Sequence, residues 1–196
     1  MLSLFLTLAA SAQTATATPP AVTAPVTTAP ASRSLASLPG INIKYYDVAG
    51  KNMKAVIKSI DKQRKDPATG QARTVAHNWS IDAGFRKRTV NGVCTITAVE
   101  APFIATVELP RHSNPAQLTP ADAAEWQRFT TKIETEAAAK LWFAYDRSLQ
   151  LEATIKGKDC DKGIADGTAF INQLKADAAA FQPTVATPAP AAAATK

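Results

Sequence analysis

The chain predicts an α+β domain: an antiparallel sheet of about three to four strands packed against one long and one shorter C-terminal helix, with a short helix near its start. Three observations predict it. The alternating run Ile41–Val48 is followed by apolar residues at helical spacing (Met53, Val56, Ile57, Ile60). Two stretches rich in Val, Ile, Thr and aromatics flank an Asn91-Gly92 dipeptide. A long helical pattern opens at Thr119-Pro120-Ala121-Asp122.

Ile41-Asn42-Ile43-Lys44 alternates apolar and polar side chains, as a half-buried strand does, and Ala49-Gly50-Lys51 ends the run. Asn52 supplies a cap for the helix over residues 52–63. Residues 66–70, Asp-Pro-Ala-Thr-Gly, read as a turn. Residues 73–86 and 93–109 read as antiparallel strands around Asn91-Gly92, a pair suited to a tight hairpin turn because both residues tolerate positive φ. Pro102 has no N–H to donate, so the second strand is broken or bulged there, or lies at an edge. Thr119 caps a helix with Pro120 in its first position, and that helix is expected to run to about residue 155, with Gly157 ending it. Ile164, Phe170, Ile171, Leu174, Ala178 and Phe181 place a second helix over residues 161–181.

The two ends differ from this middle. Residues 1–12 are mostly apolar and close on Ala10-Ser11-Ala12, the small-x-small pattern of a cleavage site, so they are expected to be a signal peptide. Residues 13–37 are mostly Ala, Thr, Pro, Ser and Val with a single charge, Arg33, and are expected to form a disordered linker; residues 183–196 repeat that chemistry as a tail. The folded domain is expected over 38–182, roughly 145 residues, enough to bury a core. No apolar run approaches the ~20 residues of a membrane span. A periplasmic or extracellular location follows from the leader.

Cys94 and Cys160 are the only cysteines. In an oxidising compartment such a pair is expected to bridge, two reduced buried cysteines being the alternative. A bridge would close a loop of about 67 residues, worth on the order of 4 kcal/mol. The net charge is +6, from 22 basic and 16 acidic residues. Lys58, Lys62, Arg64 and Lys65 form one basic run and Arg86, Lys87 and Arg88 another. Neither interleaves aromatic residues as a stacking platform would, so both read as solvated surface, and no nucleic-acid partner is expected.

Tyr45-Tyr46-Asp47-Val48-Ala49-Gly50-Lys51, Trp79, Cys94, Leu109-Pro110-Arg111, Glu125-Trp126-Gln127-Arg128-Phe129 and Cys160-Asp161 occur in this order along most of the folded region. Together they resemble the bacterial secreted zinc-dependent-protease-like family catalogued as domain of unknown function 922. The resemblance implies a His-Glu-Glu-Gly-His segment on the long helix, about ten residues beyond the Trp-Gln-Arg stretch. Two His at i and i+4 ligate Zn²⁺ while the intervening Glu activates a bound water.

Here those positions read Glu136-Ala137-Ala138-Ala139-Lys140. Lys140 has no lone pair for a metal when protonated, Ala137 cannot accept a proton, and Glu136 alone is a poor zinc site. Glu136 and Lys140 are spaced as an i,i+4 ion pair. At about 100° per residue, the apolar stripe of Trp126, Phe129, Ile133, Ala137, Ala144 and Leu151 takes in Lys140 and has Glu136 at its edge, so the pair is expected to face inward or line a cleft.

The remaining histidines, His77 and His112, have no partner at metal spacing, and no Gly-x-Ser-x-Gly occurs. No catalytic residue, metal ligand or cofactor is therefore expected. The reading is a non-catalytic exported protein, a pseudoprotease-like domain binding an unidentified peptide, protein or cell-envelope component. The alternatives are a metal-dependent hydrolase with a site rebuilt from Glu136, His77 or His112, and a structural or adhesive envelope protein.

Overall fold

The computed structural model describes residues 33–65, 69–71 and 73–183. The expected signal peptide, most of the expected linker and nearly all of the tail lie outside the described residues. The class is α+β. Strand β1 (Ile41–Val48) leads to helix α1 (Met53–Gln63), then come β2 (Ala76–Ile81), β3 (Gly84–Val90), β4 (Val93–Glu100) and β5 (Phe103–His112). Helices α2 (Pro120–Ser148), α3 (Leu151–Ile155) and α4 (Cys160–Ala180) follow among the described residues.

Local signals act where the sequence puts them. The Asn52 side chain accepts from the Ala55 N–H at the start of α1, and Thr119 accepts from Asp122 N–H at the start of α2. Asp122 is shared between helices, because its carboxylate also accepts from the Met53 N–H, the first residue of α1. The hydrogen bond from the Thr119 hydroxyl, and then that from the Met53 N–H, hold its carboxyl below the usual range. Asn91 and Gly92 carry φ of 50° and 79° in the β3–β4 turn, and Gly157, at φ 81°, follows α3.

The two long strands expected around Asn91-Gly92 are each divided. Residues 82–83 and 101–102 interrupt them at the same level, where the Asp82 N–H donates to the Pro102 carbonyl at 3.2 Å. Beyond this break β2 and β5 belong to one sheet, in the order β1-β5-β2, and β3–β4 forms a separate two-stranded sheet. β2 runs antiparallel to β5, with His77 opposite Val107; β1 runs parallel to it, with Val48 opposite His112. That parallel pairing departs from an all-antiparallel sheet. The expected long helix stops at Ser148 and resumes as α3.

Phe103, Ala105, Val107 and Leu109 of β5 bury one face of the larger sheet against Ala137, Ala138, Leu141 and Ala144 of α2. A second cluster joins Val48, Val56, Ile60 and Leu118, with Trp126 and Phe129 packed on it. A third joins Ile96, Leu151, Ile155 and Cys160, and it seats the hairpin on α3 and α4. Cys94 and Cys160 are disulfide-bonded, their Cα atoms 5.5 Å apart.

Ordered packing begins before residue 38. Leu35 is 0% exposed and joins the core with Leu38. The Arg33 guanidinium lies 4.0 Å over the Trp142 ring and pairs with Asp146, while Trp142 Nε1 donates to the Ser34 carbonyl. The one charge in an Ala/Thr/Pro-rich stretch thus fastens that stretch to α2.

Candidate functional site

The segment Glu136–Lys140 lies in the middle of α2, where the helix crosses the sheet. Ala137 is 2% exposed, and with Ala138 and Leu141 it packs against the buried face of β5. Glu136 and Lys140 flank the buried row and are half-buried.

The two do not meet as an ion pair. The Glu136 carboxylate lies 4.0 Å from Lys132, one turn back, and its side chain is 40% exposed. Lys140 instead lies toward the β2 edge of the sheet, close enough to His77 to act on its charge. Crowding around the His77 ring, then the positive charges of Lys140 and Arg73, hold this histidine below its usual range, although much of the residue is reached by solvent.

Beside His77 is a depression of about 200 Å³ lined by Arg73, Ala76, His77, Asn78, Thr106 and Glu108. Strand alternation places Thr106 and Glu108 on the face opposite to Val107, away from the α2 core. Glu108 pairs there with Arg64, whose guanidinium lies 4.8 Å over the Tyr46 ring. The Tyr46 hydroxyl donates to the Thr74 carbonyl at 2.7 Å. Burial, opposed by Arg64 and reinforced by Glu108, pushes the phenol up to about 12, so it stays a donor at physiological pH.

His112 is elsewhere. It ends β5, is 6% exposed, and meets the Trp126 ring edge-on at 6.0 Å. Its Nδ1 accepts from the Asn114 N–H at 3.1 Å, so Nε2 carries the proton and donates to the Gly50 carbonyl at 2.9 Å. Gly50 admits nothing larger, because a Cβ there would sit 2.6 Å from the Val56 nitrogen. Both His112 nitrogens are engaged, Nε2 in holding the β1–α1 loop and Nδ1 in the turn that follows β5. His77 is level with Val107, five residues from His112 along β5, a separation of roughly 17 Å. The fold does not bring Glu136, His77 and His112 together, and no three His, Cys, Asp or Glu side chains among the described residues converge as a metal would require.

One element of the site was outside the sequence reading: the proximity of Lys140 to His77. The signal for it lay in the alternation of β2, where His77, Trp79 and Ile81 share a face, and Trp79 and Ile81 pack on the cluster that holds Ala137.

The fold and site define an α+β domain whose central helix is closed onto its sheet. A family model described as a bacterial protein of unknown function (DUF922) matches residues 43–184, and the chain belongs to that family. No curated protein and no solved structure matches it.

The charge relationship at His77 is testable. Lys140→Ala is expected to raise the His77 pKa toward the ordinary value of 6.5, followed by NMR titration of the ring proton. In the native protein the folded state binds fewer protons at His77 than the unfolded chain does, so this residue's contribution makes stability fall as pH drops below 6.5 and through the depressed folded pKa. An unchanged titration in the variant would remove Lys140 from the account.

Proposed function

We propose that the chain is a non-catalytic, exported member of its family, in which the helix positions of a zinc-protease motif have been given over to core packing and to peptide or envelope-component binding. The observation that carries this reading is Ala137. It occupies the general-base position implied by the resemblance and lies buried on β5 between Glu136 and Lys140, which supply no imidazole. Export is supported by the Cys94–Cys160 bridge, which suits an oxidising compartment, and by the apolar start of the chain. No helix among the described residues is long and apolar enough to cross a membrane.

Binding is supported by the outer edge of β2, which has no strand partner among the described residues and lies between the charge of Lys140 on the α2 face and the 200 Å³ depression on the other. An extended peptide added there would gain main-chain hydrogen bonds, with Lys140 favouring acidic side chains.

The test pairs zinc titration by calorimetry with hydrolysis of denatured casein, with and without chelator. The expected result is no stoichiometric zinc binding and no hydrolysis above buffer. Zinc held one per chain, with hydrolysis lost on chelation, would establish the hydrolase reading instead.

A further inference from the structure

The β3–β4 hairpin lies apart from the β2 edge, and its tip exposes two apolar side chains next to a run of cations. Every residue of β3 except Phe85 is exposed, and β3 pairs only with β4 among the described residues. Val90 and Val93 form the last cross-strand pair, on either side of Asn91-Gly92, and are 49% and 61% exposed. Arg88 alternates onto the face of these two valines, with Lys87 on the other face. Arg86 is paired with Glu100 at 3.1 Å. The hairpin therefore carries three cations against one carboxylate, behind an apolar tip.

The tip is also held firmly from below. The disulfide fixes Cys94 to the start of α4, the Ile96 N–H donates to the Lys158 carbonyl at 3.0 Å, and the Gly157 N–H donates to the Ile96 carbonyl at 2.8 Å. Ile96 itself is fully buried. A hairpin so anchored can meet a surface without losing order, which lowers the entropic cost of docking.

We propose that the β3–β4 tip docks on an anionic lipid bilayer, with Val90 and Val93 entering the boundary between headgroups and acyl chains, Arg88 on their face meeting lipid phosphates and Lys87 adding its charge from the other face. Cations and the bulge at Arg86/Lys87 also guard an open strand edge against pairing with another chain. That role accounts for charge on β3 but not for two paired, exposed valines at its end. A soluble polyanion would attract the same cations and gain nothing from the valines, so the combination selects a surface that is charged outside and apolar within. The residues are distinct from Lys140, His77 and the β2 edge, so this inference stands or falls apart from the proposed function.

The experiment is co-sedimentation of the full chain with phosphatidylcholine vesicles, with and without phosphatidylglycerol. Binding is expected only to the anionic vesicles and is expected to weaken with salt. Val90→Ser/Val93→Ser, which leaves the charge unchanged, should weaken it on the order of tenfold. Lys87→Glu/Arg88→Glu should weaken it by more than about twentyfold, at roughly fivefold per charge removed.

Lys58→Glu/Lys62→Glu makes the same charge change on α1 and should leave binding near the original. Residues 1–32 are common to all of these chains, so differences between them report the hairpin. Circular dichroism and thiol titration confirm that each variant is folded and bridged. A Val93→Trp probe should shift its emission to shorter wavelength on anionic vesicles. The proposal is overturned if no vesicle binds, if the serine variant binds as the original does, or if the α1 reversal costs as much as the hairpin reversal. Valine-independent binding to heparin together with valine-independent vesicle binding would make the hairpin a polyanion site, and would equally overturn it.

Discussion

Cys94→Ala/Cys160→Ala is expected to cost about 4 kcal/mol of folding stability, the loss of a cross-link that spans 66 positions of sequence. The unfolded chain gains the freedom of a long loop, and the folded chain loses its covalent tie between β4 and α4. The hairpin would still be held by the backbone bonds of Ile96 and by the burial of Ile96 against Gly163, where an added Cβ would sit 2.5 Å from the isoleucine Cδ1 and oblige it to shift. The loss should therefore be seen mainly as global unfolding at lower urea, with a smaller decrease in amide protection along β3 and β4. Urea denaturation of the original chain, the double variant and the reduced original chain separates these effects. A loss below about 1 kcal/mol would mean that noncovalent docking of the hairpin restricts the chain almost as well.

Features set by one or a few neighbouring residues were legible in the sequence. Asn52 and Thr119 cap the helices they precede, Asn91-Gly92 makes the hairpin turn, and Gly157 closes α3. Each rests on a side-chain acceptor one turn away or on a permitted φ. Pro102 marks an interruption for the same kind of reason. What it could not convey is that residues 82–83 break the partner strand at the same level, because that depends on how two strands leave one sheet for another. Nor does the composition of β1 encode its parallel pairing with β5, since direction is fixed by the path of the chain between them.

The strap at Arg33–Leu38 was obscured by its surroundings. A Leu-x-x-Leu spacing in an Ala/Thr/Pro-rich stretch offers little apolar surface alone, yet Leu35 becomes fully buried because Arg33, Trp142 and Asp146 hold the backbone beside α2. Around Glu136 the sequence offers two partners, Lys132 and Lys140, each four residues away. Helical phase placed Lys140 near the apolar stripe. Only the position of β2 decides that this lysine turns toward His77 and leaves Glu136 to Lys132. Leu141, at 0% exposure, belongs to the same stripe, four residues after Ala137 and three before Ala144, although the stripe read from the sequence did not include it.

Ala137→Glu is expected to destabilise the domain by about 2–4 kcal/mol, because a carboxylate would be forced into the space between α2 and β5 with no hydrogen-bond donor provided for it. For a domain of this size that corresponds to a fall in Tm of about 4–16 °C. Glu136→His and Lys140→His alter half-buried positions and should each cost about 1 kcal/mol or less. The triple variant restores the side chains that the family resemblance places on the metal and its water, so it separates two physical cases. If the sheet now fills the site, the triple variant should be as unstable as Ala137→Glu alone, and added zinc should leave its Tm within about 2 °C, since a ligand stabilises only the state that binds it. If an open metal cavity persists beneath the alanines, zinc should restore the lost stability in proportion to its concentration over Kd. That result would place the proposed inability to hold zinc in three side chains alone rather than in the shape of the site.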